Sequence, residues 1–284
     1  MNKSIKNILS KTLTFLPDHP YSTLTYTIKH KRLPKIKEPR YFNDKLLYLK
    51  LNYKNNIQQV LADKYEVRDY ISKKIGEDYL IPLLGVYSDP EEVNFEKLPN
   101  QFVIKNSAGA QNIIICKDKS QLNWEKTSNV IRSWFKTDPY KRTREWPYKN
   151  APKRFVIEKY TEDSQGNLDD YKFWCFNGKP LYVQIDAGRF SNHRRSLLTA
   201  KDFKKTDIKI THNNIDGDIE IPVNYEKMLS IAEKLSSPFP FSRIDLYNVD
   251  GKIYFGEVTF YPGNCNEKIT PVKYEKILGD LLVL

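Results

Sequence analysis

Two turn dipeptides constrain this chain more than any other feature. Asn177-Gly178 separates the apolar runs 171–176 and 181–185, and Asp250-Gly251 separates 242–247 from 253–260. Asn-Gly and Asp-Gly accept the positive φ angles of a two-residue type I′ turn, whose twist matches that of paired antiparallel strands. Two tight hairpins follow. A third hairpin is expected where the strand 101–105 leads through the small polar loop 106–112 into 113–116. Helices are expected over 46–51, 57–75 with Gly76 as the stop, 121–136 and 224–236; a buried strand is expected over 79–87, and a loop over 139–154. Hairpins interspersed with helices make the chain α+β.

Charge is unevenly spread. Of the net +11 on 284 residues, residues 1–56 carry +9, from 12 basic and three acidic side chains, and the remaining 34 basic and 32 acidic residues nearly cancel. The asymmetry suits an anionic partner, or a solvated lead-in that packs on the body. Ile5, Ile8, Leu9, Leu13 and Leu16 share one helical face. That face can lie on a membrane or pack on its own domain. No run approaches the roughly 18 apolar residues that span a bilayer, and 5–16 lacks a signal-peptide pattern. Three dispersed cysteines without CxxC argue against disulfides or zinc and for a reducing cytosol, and the four histidines lack ligand spacing. A cytoplasmic protein is expected, with residues 1–20 the candidate for any peripheral contact at the inner membrane face, and no nucleic-acid partner.

The second strong hairpin carries the chemistry. Arg243 and Asp245 stand two apart on one strand and so share a face, as do Glu257 and Thr259 on its partner. Two carboxylates on neighbouring strands with an arginine can hold Mg²⁺ and a polyphosphate. The same residues also make an ordinary cross-strand charge pair on a solvated face. Lys105 ends a strand just before the loop 106–112, a workable phosphate cradle.

The order of these pieces resembles the ATP-grasp superfamily, and more closely its TupA-like (teichuronopeptide-biosynthesis) members from bacterial surface-polysaccharide clusters. The motifs are ADKYEVRDYISKKIGEDYLIPLLGVY, LPNQFVIKNSAGAQNIIICKDKSQL, EWPYKN, RFVIEKYTED, DYKFWCFNGKPLYVQID and FPFSRIDLYNVDGKIYFGEVTFYPGN, together covering about 62–284. The resemblance implies an ATP-grasp fold, with two α+β subdomains sandwiching ATP (61–160 and 161–284) behind a basic N-terminal segment (1–60). It implies that Lys105 touches the α- and β-phosphates and that the loop with Asn106, Ser107, Gly109 and Asn112 covers them. Glu158, Lys159 and Tyr160 match the adenine hinge. Asp170, with Asp169 as competitor, stands where a ribose-binding acid is placed; Lys172 projects into the cleft and Lys64 matches a recurring lysine. Asp245, Glu257 and Thr259 are the implied Mg²⁺ ligands, Thr259 replacing the usual Asn, and Arg243 stabilises the transferring phosphate. In DAGRFSNHRRS, Asp186, Arg189, His193, Arg194 and Arg195 are candidates for the acceptor carboxylate or the γ-phosphate, Arg189 with a catalytic role, or make a basic surface loop; Asn264 is a further substrate candidate. Lys141, Arg142, Arg144, Lys149, Lys153 and Arg154 form a second basic patch.

The expected activity is ATP- and Mg²⁺-dependent carboxylate–amine ligation through an acyl phosphate, joining an amino acid or small amine to a uronic acid of a capsular or related glycan. The partners are then an acidic glycan or lipid-linked acceptor and an amine. A sugar kinase on the same fold is the alternative. A glycosyltransferase is a third reading, though its Asp-x-Asp occurs only as Asp216/Asp218 in an expected turn. A glycan-binding module using 19 Tyr and 4 Trp leaves Lys105, Asp245 and Glu257 unexplained.

Overall fold

A computed structural model describes residues 15–109, 112–164, 166, 168–187 and 193–284. Along the chain run α1 (Asp18–His30), α2 (Phe42–Asn52), α3 (Ile57–Ala62), α4 (Val67–Ile75), β1 (Leu83–Tyr87), β2 (Phe102–Asn106), β3 (Ile113–Cys116), α5 (Trp124–Trp134), α6 (Pro139–Thr143) and β4 (Phe155–Lys159). There follow β5 (Asp169–Phe176), β6 (Lys179–Ala187), β7 (Arg194–Thr199), β8 (Lys209–Ile210), α7 (Tyr225–Ser236), β9 (Phe241–Val249), β10 (Lys252–Thr259), β11 (Ile269–Thr270) and α8 (Lys273–Leu281). The strands form a four-stranded sheet in the order β1-β4-β2-β3, a five-stranded sheet in the order β10-β9-β5-β6-β7, and the pair β11-β8. All pairings are antiparallel. Both turn dipeptides behave as their chemistry requires: Asn177 and Gly178 have φ of 49° and 81°, Asp250 and Gly251 of 49° and 84°.

The five-stranded sheet has two unlike faces. One is apolar: Phe173, Ile244 and Leu246 pack with Met228, Ile231, Ala232 and Leu235 of α7 in one buried cluster. On the other, Asp170, Lys172 and Trp174 of β5 stand in register with Tyr247, Asp245 and Arg243 of β9. That face turns from charged to aromatic along its length. At the aromatic end Phe42 of α2 stacks on Trp174, with centroids 5.4 Å apart, and meets Phe176 and Phe241 at 5.7 and 5.1 Å. Phe42, Leu46, Leu47, Leu49 and Leu51 belong to this main core. Truncating such a ring costs on the order of 3–5 kcal/mol, so this stretch of the basic N-terminal segment is core. The apolar helix face proposed for 5–16 lies, except for Leu16, outside the described residues.

Three local expectations are corrected. The helix expected over 57–75 is broken: Asp63 accepts the N–H groups of Tyr65 and Glu66 through Oδ1, at 2.9 and 3.0 Å, and starts α4 afresh. An aspartate offering its carboxylate to following N–H groups competes with helix continuation. The strand expected over 79–87 shrinks to β1 and is half-buried, because 77–79 form a 3₁₀ turn. The expected loop 139–154 contains α6, whose first turn Asp138 caps by accepting from the N–H groups of Tyr140 and Lys141, and a 3₁₀ turn at Trp146–Tyr148. Among the described residues no helix is long and apolar enough to cross a membrane.

Candidate active site

The charged end of the five-stranded sheet is assembled by one irregularity. On β10, Ile253 and Phe255 oppose Asn248 and Leu246; after a bulge at Gly256, Glu257 opposes Asp245 and Thr259 opposes Arg243. The extra residue shifts the alternation, so Glu257 and Thr259 leave the α7 face and join Arg243 and Asp245. Glycine is required there: a Cβ would lie 2.9 Å from the Asp245 carbonyl oxygen and 3.2 Å from the Tyr247 ring.

Arg243 is the hub. Its Nε donates to Asp245 Oδ1 at 2.7 Å and its Nη2 to Asp245 Oδ2 at 2.7 Å. The same Nη2 reaches Glu257 Oε1 at 3.3 Å and Thr259 Oγ1 at 3.1 Å. Lys172 bonds Asp170 and lies 3.2 Å from Asp245 Oδ2. Arg243, Asp245 and Lys172 are buried, which excludes the solvated charge pair. Burial pushes the Asp245 carboxyl upward, against the pull of Arg243 and Lys172. Partial desolvation by the surrounding protein would raise Glu257 too, but Lys64, Arg243 and Lys172 hold it below its usual value. Its side chain is 43% exposed and so opens outward.

A second set of charges comes from the four-stranded sheet. Lys105 on β2 donates to Glu158 Oε2 on β4 at 2.7 Å, and Arg68 Nη1 to Glu158 Oε1 at 3.1 Å. Lys64, in the break between α3 and α4, gives its N–H to the Ser107 carbonyl at 2.9 Å and its Nζ to the Gly109 carbonyl at 3.1 Å. Burial lowers the Lys64 pKa, with Glu257, Lys105 and Glu158 all acting on it. Lys64, Arg68, Lys105, Glu158, Phe255 and Gly256 line one cleft, where the two sheets meet.

The other expected site residues divide. Asn106 gives its N–H to the Asn112 carbonyl and Ser107 its own to the Arg154 carbonyl, both at 3.0 Å. The base of the loop is thus anchored, and those two N–H groups are not free for a phosphate; Ala110 and Gln111 lie outside the described residues. The Lys159 N–H is taken by the Pro82 carbonyl at 2.9 Å, and the Tyr160 hydroxyl donates to Glu162 at 2.5 Å. Asp170 stands beside Lys172; the side chain of Asp169 lies outside the description. Asp186 receives His193 Nε2 at 2.8 Å, Arg195 Nε at 2.6 Å and Gln184 Nε2 at 2.8 Å. Burial opposes its ionisation, yet Arg195 and His193 hold it well below the usual carboxylate range. Arg194, next in sequence, projects from the opposite face of β7 and pairs with Asp216 at 3.1 Å. Arg189 lies outside the described residues. Asn264 stands apart, accepting from Lys50 Nζ at 2.8 Å.

Sequence reasoning passed over several participants. Arg68 pairs with Glu158, and Glu267 meets Arg195 at 3.3 Å; both contacts join distant segments and leave no local signal. Glu145 opens EWPYKN, a motif visible in the sequence without a role. Burial pushes its carboxyl up to about 7, against Lys50 and Arg142.

A bulged hairpin with clustered Arg, Asp and Glu faces Lys105 of a second antiparallel sheet and Lys64 of the break between α3 and α4, in a chain of the ATP-grasp class. The TupA-like ATP-grasp family model matches residues 44–283, and the chain belongs to that family. ATP with Mg²⁺ is the standard cofactor pair of the fold. No curated protein matches the sequence. Among solved structures, D-alanine–D-alanine ligase from Bacillus anthracis is 19% identical over 71% of this chain and 57% of its own, with a TM-score of 0.42. The Helicobacter pylori D-alanine–D-alanine ligase is 15% identical over 79% and 62%, TM-score 0.42. D-cycloserine synthetase DcsG is 15% identical over 80% and 70%, TM-score 0.43. The chain thus spans somewhat over half the length of the two D-alanine–D-alanine ligases.

The residues present fit a nucleotide with its metal. Asp245, Glu257 and Thr259 offer only oxygen, the donor set of a hard cation. Among the described residues no three His, Cys, Asp or Glu side chains gather as a metal cage. A cation here would need phosphate oxygens to complete its shell, as Mg²⁺ bound with a nucleotide does.

Proposed function

We propose that this protein is an ATP-dependent carboxylate–amine ligase whose acid is a uronic acid of a surface glycan. The observation that carries the reading is the contact of Arg243 with Asp245, Glu257 and Thr259 at once. A buried guanidinium already held by two carboxylates is a fixed positive charge, ready to stabilise a phosphoryl group in transfer without reorganising. Asp245 and Glu257, with Thr259, would hold Mg²⁺, which when bound neutralises charge on the phosphates. Lys105 and Lys64 supply cations on the opposite wall. When phosphate enters, Lys105 exchanges part of its pairing with Glu158 for phosphate oxygens, which are stronger charge-assisted acceptors. Arg195, held by Asp186 and Glu267, would orient the acceptor carboxylate. The +9 of residues 1–56 favours an acidic or lipid-linked acceptor on the cytoplasmic side of a membrane.

Incubation with ATP, Mg²⁺, glucuronate- or galacturonate-containing oligosaccharides and a panel of amino acids should release ADP and give an amide-linked product by mass spectrometry. A phosphorylated sugar and no amide would make the protein a kinase instead.

A further inference from the structure

The segment Glu145–Asn150, which the ATP and metal assignments leave without a role, brings an unusual pair of charges together. Its 3₁₀ turn, Trp146–Tyr148, is tied to α3 by Gln59, whose Nε2 donates to the Lys149 carbonyl at 2.8 Å. Glu145 is 8% exposed. Its N–H donates to Thr143 Oγ1 and its carbonyl accepts from the Tyr148 N–H. Among the described residues its carboxylate makes neither a hydrogen bond nor an ion pair. Lys50, on α2, is 3% exposed. Its ammonium donates to the Thr143 carbonyl at 3.1 Å and to Asn264 Oδ1 at 2.8 Å. Both acceptors are neutral, and one of its three N–H bonds is unspent. Among the described residues it too has no ion-pair partner.

Buried charges are ordinarily paired, because an isolated one costs several kcal/mol of lost hydration. Here the Lys50 ammonium is bonded to the Thr143 carbonyl, two residues before Glu145, so a buried cation and a buried acid belong to one stretch of chain without an ion pair between them. The 3₁₀ turn packs on α3, and α3 packs in turn on β10, the strand that carries Glu257 and Thr259, so this segment lies beside the arginine–carboxylate site. A ligand carrying one positive and one negative group a few ångström apart satisfies both charges at once.

We propose that Glu145 and Lys50, with Asn264 holding the lysine in place, form a binding subsite for a zwitterionic amino acid, its ammonium on Glu145 and its carboxylate on Lys50. The inference rests on the ligase reading for its purpose, since it sets an amine next to the centre where an acyl phosphate would form. It stands on its own for binding.

The test is calorimetric titration of the full chain, with Mg²⁺ and a non-hydrolysable ATP analogue present, against the twenty amino acids singly and against ethanolamine, which has the ammonium and no carboxylate. At least one amino acid should bind wild type. Glu145→Gln should weaken that binding about 10-fold or more, the scale of one lost charge-assisted contact, and should weaken ethanolamine as well. Lys50→Met should weaken the amino acid and spare ethanolamine. Both variants should keep the wild-type affinity for the ATP analogue. Should Lys50→Met fail to fold, the isosteric Glu145→Gln decides alone. Failure of all twenty amino acids to bind wild type, or undiminished binding by Glu145→Gln, overturns the subsite. Amino-acid binding that is lost in Glu145→Gln, with no amide formed from any uronate, leaves the subsite standing and removes the ligase reading.

Discussion

At the scale of single residues, the chain places charges where burial is costly and compensates most of them. Asp245 has Arg243 and Lys172; Glu158 has Lys105 and Arg68; Asp186 has Arg195 and His193. Glu145 and Lys50 are exceptions, and for Glu145 the cost can be tested. Its carboxyl is raised from 4.5 to about 7, so the folded state holds that proton more tightly than the unfolded chain. Stability from this group is complete below about pH 4.5 and is lost as pH rises through about 7, an effect on the order of 3 kcal/mol. Glu145→Gln should therefore raise the unfolding temperature by several degrees at pH 8 and leave it nearly unchanged at pH 4.5. Equal shifts at both pH values would mean that the carboxyl titrates normally.

At the scale of elements, the decisive device is the bulge in β10. Gly256→Ala sets a Cβ against the Asp245 carbonyl and the Tyr247 ring. Relief requires β10 to move from β9 or to lose its extra residue, and losing it returns Glu257 to the α7 face. The variant should lose 1–3 kcal/mol of stability, on the order of other overpacked sites, and its affinity for an ATP analogue with Mg²⁺ should fall at least about 10-fold. Wild-type affinity in a stably folded Gly256→Ala would show that the bulge does not set the site. The break between α3 and α4 works in the same manner: by stopping the helix at Asp63 it places Lys64 on the loop after β2.

At the scale of the whole molecule, the N-terminal segment has two parts. From about Asp18 onward it is structural: Arg144 bonds the Leu16 carbonyl, Tyr140 bonds Asp18, and Tyr21 and Tyr26 are buried. Removing residues 1–14 deletes Lys3, Lys6 and Lys11 and none of these contacts. The truncated protein should fold and bind nucleotide like the full chain. Its binding to anionic vesicles should be weaker, and the full chain's should decline with salt, since exposed charges are screened beyond about 10 Å at 0.1 M. Vesicle binding unaffected by the deletion would put any membrane contact elsewhere.

The sequence by itself determined the hairpins, because Asn-Gly and Asp-Gly dictate their turns locally, and it determined that Arg243 pairs with Asp245, and Glu257 with Thr259, on shared strand faces. It also marked Lys105 and the loop after it. It could not determine whether the two faces of the second hairpin coincide. That depended on a one-residue bulge at Gly256, which alternation counted from the sequence cannot reveal when the irregularity lies between the two halves of the site. Nor could it show that Arg194 and Arg195 part company, that Lys159 spends its N–H on Pro82, or that α2 belongs to the main core. Each of these depends on which distant segment arrives alongside. Lys50 and Glu145 are 95 positions apart in the chain, and only the packing of α2 against the segment after α6 leaves both of them buried and, among the described residues, without an ion-pair partner.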